Sequence, residues 1–170
     1  LIAAGVGIMM NPGSGYHCRV DRYPFFAADL VGINNNVDPD RALGWLDRLP
    51  RDLCLFITAP DEYPNAERSL ERGLEFAPLI RDMGFPVAIV AQDGADKLQW
   101  PWDEFDCLFI GGERKPSDEW KVSEEAAQLV REARARGKWV HMGRVNSRRR
   151  MERAREMGCD SADGNFIKYR

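Results

Sequence analysis

The sequence predicts a parallel α/β fold, and three observations carry that expectation. Short apolar runs alternate with amphipathic stretches along the 170 residues, giving about seven strands and at least four helices in β/α order. No internal repeat, low-complexity tract or linker interrupts the alternation. Each apolar run also stops at a polar or glycine residue of chemical use: Asp29 after PFFAA, Asp61 after LCLFITAP, Gln92 after PVAIVA, Gly111 and Gly112 after CLFI. Near the end, Met142, Gly143 and Arg144 close WVH, and Asp163 follows CDSA. In a (β/α)8 TIM-barrel-like fold the strand C-termini converge on one face, which would gather these residues into one pocket with at least three carboxylates. Pattern alone does not separate a barrel from a doubly wound sheet, because both use the same alternating units.

The elements follow in order. A first strand is expected over 5–11, then a Gly-rich loop, then a second strand over 24–30. Pro39, in the first helical position behind an Asp38 cap, opens a helix over 39–49. The strand at 53–59 leads through P-D-E-Y-P into a helix over 65–83 that Gly84 ends. A strand over 86–91 and a tryptophan-rich segment over 98–105 precede a strand at Cys107–Ile110. A helix over 123–136 stops at Gly137, and Trp139–Met142 forms the next strand. An arginine-rich helix over 147–157 ends at Gly158, and a last short strand starts near Asp160.

The length suits one domain, 1–170, with a core of its own. Hydrophobic content of 44% beside 30% charged residues reads as soluble and globular, with no apolar stretch of membrane-spanning length. Residues 1–10 lack a basic segment and a cleavage site of secretory type, so a cytoplasmic location is expected; Leu1 in place of Met suggests a truncated or miscalled start. Cys18, Cys54, Cys107 and Cys159 lie far apart, with no C-x-x-C pair and only His17 and His141 beside them, which argues against a zinc site and a disulfide framework. Cys54 and Cys107 start apolar runs and read as buried reduced thiols. No metal or cofactor is expected.

Charge is unevenly spread. Residues 131–170 hold 12 of the 24 basic side chains and 5 of the 27 acidic ones, so a basic end follows an acidic body. Arg144, Arg148, Arg149, Arg150, Arg153 and Arg155 form its centre and suggest a surface that faces a polyanion. The solvated face of a helix explains the same run equally well. Two nucleotide motifs are excluded. Gly5 and Gly7 lie inside the first apolar run with no following helix, and N-P-G-S-G lacks the Lys and Ser/Thr of a P-loop.

Several segments together resemble the tRNA-guanine transglycosylase superfamily, closest to its small phage and bacterial relatives that insert deazaguanine bases into DNA. They are A-P-D-E-Y with G-F-P-V-A-I-V-A-Q-D-G, F-I-G-G-E with W-K, G-K-W-V-H-M-G-R-V-N-S-R-R-R, and G-C-D-S-A-D-G. The resemblance implies a pentosyltransferase on a barrel. Asp163 matches the nucleophile that displaces guanine and leaves a covalent glycosyl-enzyme intermediate. Asp29 matches the second carboxylate, a general acid and base for the leaving and entering purines. An Asp at a strand end serves as often as a cap or turn former.

By the same resemblance Asp61 and Gln92 read the purine edge, a carboxylate accepting from the N1 and amine donors and a carboxamide donating to the carbonyl. Gly111 and Gly112 leave room beside the base. Met142 covers its face, with ordinary core packing the plain alternative. Gly143 and Arg144 lie near ribose or phosphate, and Arg144, Arg148, Arg149 and Arg150 contact the DNA backbone after the target base is flipped out. The implied partners are DNA and a 7-deazaguanine base such as the 7-cyano form (preQ0).

Two features depart from the family. Gly32 stands three positions after Asp29 where relatives have Asp, one residue and Gly; the zinc-binding Cys-x-Cys-x-x-Cys and His of the tRNA enzymes are absent, which disfavours tRNA. The eighth strand is not evident after Asp163, so the barrel is expected to be minimal or incomplete. Two other readings remain: a glycosidase-like or nucleoside-hydrolysing barrel with water as acceptor, and a nucleic-acid-binding paralogue without catalysis. Trp100 and Trp102 are candidates either for a homodimer interface or for packing a loop onto the barrel.

Overall fold

A computed structural model describes residues 5–13, 20–30, 39–112 and 120–165. Seven parallel strands form one sheet in strict sequence order: β1 (Ile8–Met10), β2 (Phe26–Asp29), β3 (Cys54–Thr58), β4 (Val87–Ala91), β5 (Cys107–Ile110), β6 (Trp139–Met142) and β7 (Ser161–Ala162). Helices α1 (Pro39–Leu46), α2 (Ala66–Asp82), α3 (Glu124–Ala135) and α4 (Arg148–Met157) run between strands. A doubly wound sheet reverses strand order at a switch point, and this one never does. It winds in one direction as a curled half-barrel.

Alternation along the strands divides the apolar residues into two sets. Phe26, Ala28, Ile57, Val87, Ile89, Ala91, Leu108, Ile110, Val140 and Met142 face the helices and join Leu46, Ala77, Ile80, Val130 and Ala154 in the larger core. Ala27, Phe56, Ala88, Val90, Cys107 and Phe109 fill the concave face. His141 joins this second set, its ring 5.0 Å from that of Phe56 and 4.8 Å from that of Phe109.

The caps explain where the longer helices start. Asn65, Ser123 and Ser147 each accept a bond from the backbone N–H three residues on, at 3.0, 3.2 and 3.3 Å. Gly158, at φ 89°, closes α4 in the left-handed conformation. The first four predicted strands overran by one to three residues at an end, because sheet pairing ends before the apolar run does, whereas β5 and β6 keep their expected bounds. The expected Asp38 cap, Gly32, His17 and Cys18 lie outside the described residues.

The tryptophan-rich segment carries a one-turn 3-10 helix, Trp102–Glu104, and Trp100, 8% exposed, packs against Trp102 and Phe105 while its indole N–H donates to Ala95 O at 2.9 Å. Of the two roles expected for Trp100, loop packing is the one its burial fits. Among the described residues no helix is long and apolar enough to cross a membrane.

Candidate functional site

Parallel pairing brings the residues just past the strand ends to one level. The sheet ladder continues beyond β5, β6 and β7 through Gly111 N to Ala91 O, Gly143 N to Ile110 O and Asp163 N to Met142 O. Gln92, Gly111, Gly143 and Asp163 therefore stand side by side on the concave face, with Asp29 paired to Thr58 at the ends of β2 and β3. The convergence expected from sequence is real for these residues.

At one side of this mouth, Gln92 is 2% exposed and both ends of its carboxamide are engaged. Its amide donates to Asp61 Oδ2 at 2.5 Å, and its carbonyl accepts from Gly112 N at 2.9 Å. The residue expected to donate to a purine carbonyl is therefore used to aim Asp61 and to hold the turn after β5. Gly112 adopts φ 104°, which disfavours any side chain, and a Cβ there would meet Asp93 Oδ1 at 2.5 Å. A Cβ on Gly111 would press on Val90 Cγ1 at 2.9 Å. The glycine pair is set by packing as much as by room for a ligand.

On the other side, Asp163 Oδ1 accepts from the backbone N–H of Arg144 at 3.2 Å and lies 3.1 Å from His141 Nε2. Arg144 reaches this position with φ 57°, unusual for a residue with a side chain. Among the described residues Asp163 Oδ2 has no donor. Lys121, from the 3-10 turn Trp120–Val122, enters between the two sides. It is 3% exposed and donates to Gly143 O at 3.2 Å, its one acceptor among the described residues. Burial pulls its pKa below the ordinary lysine value, helped by the Arg144 guanidinium and opposed by Asp163 and Asp93. Sequence reading met Lys121 only as part of W-K; no spacing in the chain marks it as buried.

Other expected residues fall elsewhere. Met142 does not cover a ligand face: it points to the helices and is fully buried in the larger core, because it alternates with His141 along β6. The arginines divide. Arg153 donates to the carbonyls of Val122 and Ser123 at 2.9 and 3.3 Å, pinning α4 to the turn that presents Lys121. Arg148 pairs with Glu152 at 2.8 Å, and Arg150 donates to Arg144 O at 3.4 Å. Arg149 is exposed in the first turn of α4. Thr58, 2% exposed at the end of β3, has a hydroxyl without a hydrogen-bond partner among the described residues.

No family model and no curated protein matches the sequence. Solved structures do. The PaMucR phosphodiesterase in its c-di-GMP complex superposes with a TM-score of 0.53 at 16% identity, over 84% of this chain and 60% of that one. The FimX EAL domain from Pseudomonas aeruginosa bound to c-di-GMP gives 0.54 at 17%, over 85% and 61%. Klebsiella pneumoniae BlrP1 in a manganese/cy-diGMP complex gives 0.56 at 17%, over 89% and 40%. The chain thus spans less than two thirds of the length of each.

These matches correct the expectation drawn from sequence motifs. The solved structures that the chain resembles are EAL domains, not transglycosylases. The assignments that hung on that resemblance are withdrawn: pentosyl transfer, nucleoside hydrolysis, an inactive nucleic-acid-binding paralogue, DNA, tRNA or a deazaguanine base as partner, and a phage role in DNA modification. The physical reasons lie in the side chains already described: Gln92 is spent on Asp61 and Gly112, and Met142 faces away. At these identities the likeness establishes the architecture, a TIM-barrel-like α/β sheet of the kind found in EAL domains.

Proposed function

We propose that the mouth of the half-barrel binds a cyclic guanine nucleotide, with Lys121 facing its phosphodiester and Asp61 its base. The observation that carries this reading is Lys121 itself. Lys121 is 3% exposed and its ammonium is bonded to a single carbonyl among the described residues; Asp163 and Asp93 act on it from a distance against the Arg144 guanidinium, and an anion in direct contact would complete its shell. A phosphodiester oxygen supplies that anion. Three basic residues in the first turn of α4, where the helix dipole disfavours cations, support the same placement beside the mouth. Asp61, aimed by Gln92, suits the N1 and exocyclic amine donors of guanine. Solved structures of the same architecture carry c-di-GMP, cGMP or cAMP by their own descriptions, and Asp61 is what favours guanine here. A nucleotide ligand also fits a cytoplasmic location.

BlrP1 is described with manganese. Among the described residues no three His, Cys, Asp or Glu side chains come together to hold a metal ion, so these residues do not fit such a centre.

Hydrolysis of the phosphodiester is a second reading, favoured by Asp163. Its carboxylate, steadied by Arg144 N–H and His141, would take a proton from a water that attacks phosphorus; the P–O bond to one ribose breaks, its oxygen leaves with a proton from solvent, and Lys121 offsets the charge on the phosphoryl oxygens. Titration calorimetry with cyclic di-GMP and cyclic GMP, against cyclic AMP as control, tests the first reading. Saturable binding of a guanine ligand, lost in Lys121→Met and weakened about tenfold in Asp61→Asn, is expected. Equal binding of cyclic AMP, or none of any nucleotide, overturns it. Chromatography of the same mixtures for linear product decides the second reading.

A further inference from the structure

One row of polar groups crosses the apolar concave face. Trp139, His141, Ser161 and Asp163 lie on the same face of β6 and β7, two residues apart on each strand, so their side chains stack from the N-terminal side of the sheet to the mouth. Trp139 Nε1 lies 2.8 Å from Ser161 Oγ, Ser161 Oγ lies 2.8 Å from His141 Nδ1, and His141 Nε2 lies 3.1 Å from Asp163 Oδ1. His141 is 4% exposed and held between Phe56 and Phe109.

Hydrogen-bonding roles along this row follow from chemistry. Indole nitrogen only donates, so Ser161 Oγ accepts from Trp139 and has its own proton left to give. At the other end the Asp163 carboxylate only accepts, so His141 Nε2 carries a hydrogen and donates it. In the neutral ring Nδ1 is then bare and accepts from the Ser161 hydroxyl, whose oxygen takes the indole N–H.

The geometry points to His141 as a positioning residue for Asp163: with Asp163 and Ser161 on its two nitrogens the ring is the Nε2–H tautomer, which with Arg144 N–H occupies Oδ1 and leaves Oδ2 as the acceptor offered to a ligand at the mouth. Ser161 itself is no nucleophile in this arrangement. It sits on the far side of the ring from the mouth, bonded to Nδ1 with the carboxylate on Nε2.

The proposal rests on the nucleotide reading for its effect on affinity, and on the ligand-free chain for its tautomer. Long-range 1H–15N correlation spectra of the wild-type protein, recorded well above the ordinary histidine pKa, should show His141 as a single Nε2–H tautomer. Ser161→Ala should leave that tautomer in place through Asp163, whereas Ser161→Ala combined with Asp163→Ala should convert it to a mixture. An Nδ1–H tautomer, or a mixture already in the wild type, overturns the proposal. In calorimetry with cyclic di-GMP, His141→Phe should weaken binding about tenfold, whereas His141→Gln, whose amide can donate from the Nε2 position, should recover most of it. Equal losses in both variants overturn the positioning role even if the tautomer is as expected. If the wild type binds no cyclic di-GMP, the nucleotide reading fails and the tautomer spectra alone decide this one.

Discussion

Gly143 sits on the concave face directly above the Phe109 ring, and a Cβ there would come within 2.5 Å of Phe109 Cε1 and 3.4 Å of Asp163 Oδ1. Gly143→Ala is therefore expected to cost about 1–3 kcal/mol in urea unfolding, the usual range for overpacking, with the aromatic ring displaced. Lys121 makes a prediction of opposite character. Its folded pKa lies below its unfolded value, so in the alkaline window between the two the unfolded chain binds the extra proton and stability rises with pH. Wild type should thus gain stability relative to Lys121→Met as pH climbs toward 10.5, and a flat difference across that window would show the lysine is not desolvated. At this scale the sequence was legible for carboxylates at strand ends, since Asp29, Asp61 and Asp163 all reach the mouth region. It was silent on Lys121 and His141, whose burial comes from neighbours distant in the chain. For Gln92, residue type alone did not reveal that both ends of the side chain are consumed by Asp61 and Gly112.

Among the elements, α4 carries the clearest internal conflict. Ser147 caps it well, yet its first turn is Arg148, Arg149 and Arg150 with no acid, against the preference of the helix dipole. Arg149→Glu should stabilise the protein by about 0.5 kcal/mol in thermal or urea unfolding while weakening cyclic di-GMP binding. If affinity is unchanged, the arginine turn belongs to the solvated face of the helix and not to the ligand site. Elements were the most legible level of the sequence: β5 and β6 match their expected bounds, and the caps at Asn65, Ser123, Ser147 and Gly158 set the helix ends within a residue or two. Pro78 lies inside α2, where local preference would break a helix, and the helix continues because Ala77 and Ile80 are buried in the core on either side of it. The 3-10 turns at Ala95–Lys97, Trp102–Glu104 and Trp120–Val122 were not read, since three residues leave no periodicity to detect.

For the whole molecule, alternating apolar runs conveyed the α/β class, and only the sequential order of the strands settled barrel winding over a doubly wound sheet. Family motifs misled where the fold did not, because short strings such as G-K-W-V-H and Asp at strand ends recur wherever a barrel mouth is built. The sheet is also uneven in strength. β4 and β5 are fully buried and paired over four residues, whereas β7 is two residues long, Ser161–Ala162, and paired with β6 alone. Asp163 hangs directly from that short strand. Segments with so few ladder bonds open well below the global unfolding free energy, so their amides exchange with solvent early. A ligand that needs Asp163 in place can bind only the closed form, and mass action then charges it for closing the strand and credits it by slowing exchange there. Cyclic di-GMP at about 100 times its dissociation constant should raise protection of the 161–163 amides by up to about 2.7 kcal/mol while leaving β4 and β5 limited by global unfolding. The weakest seam of the sheet would then report occupancy of the mouth by hydrogen exchange, with no need for a chemical signal from turnover.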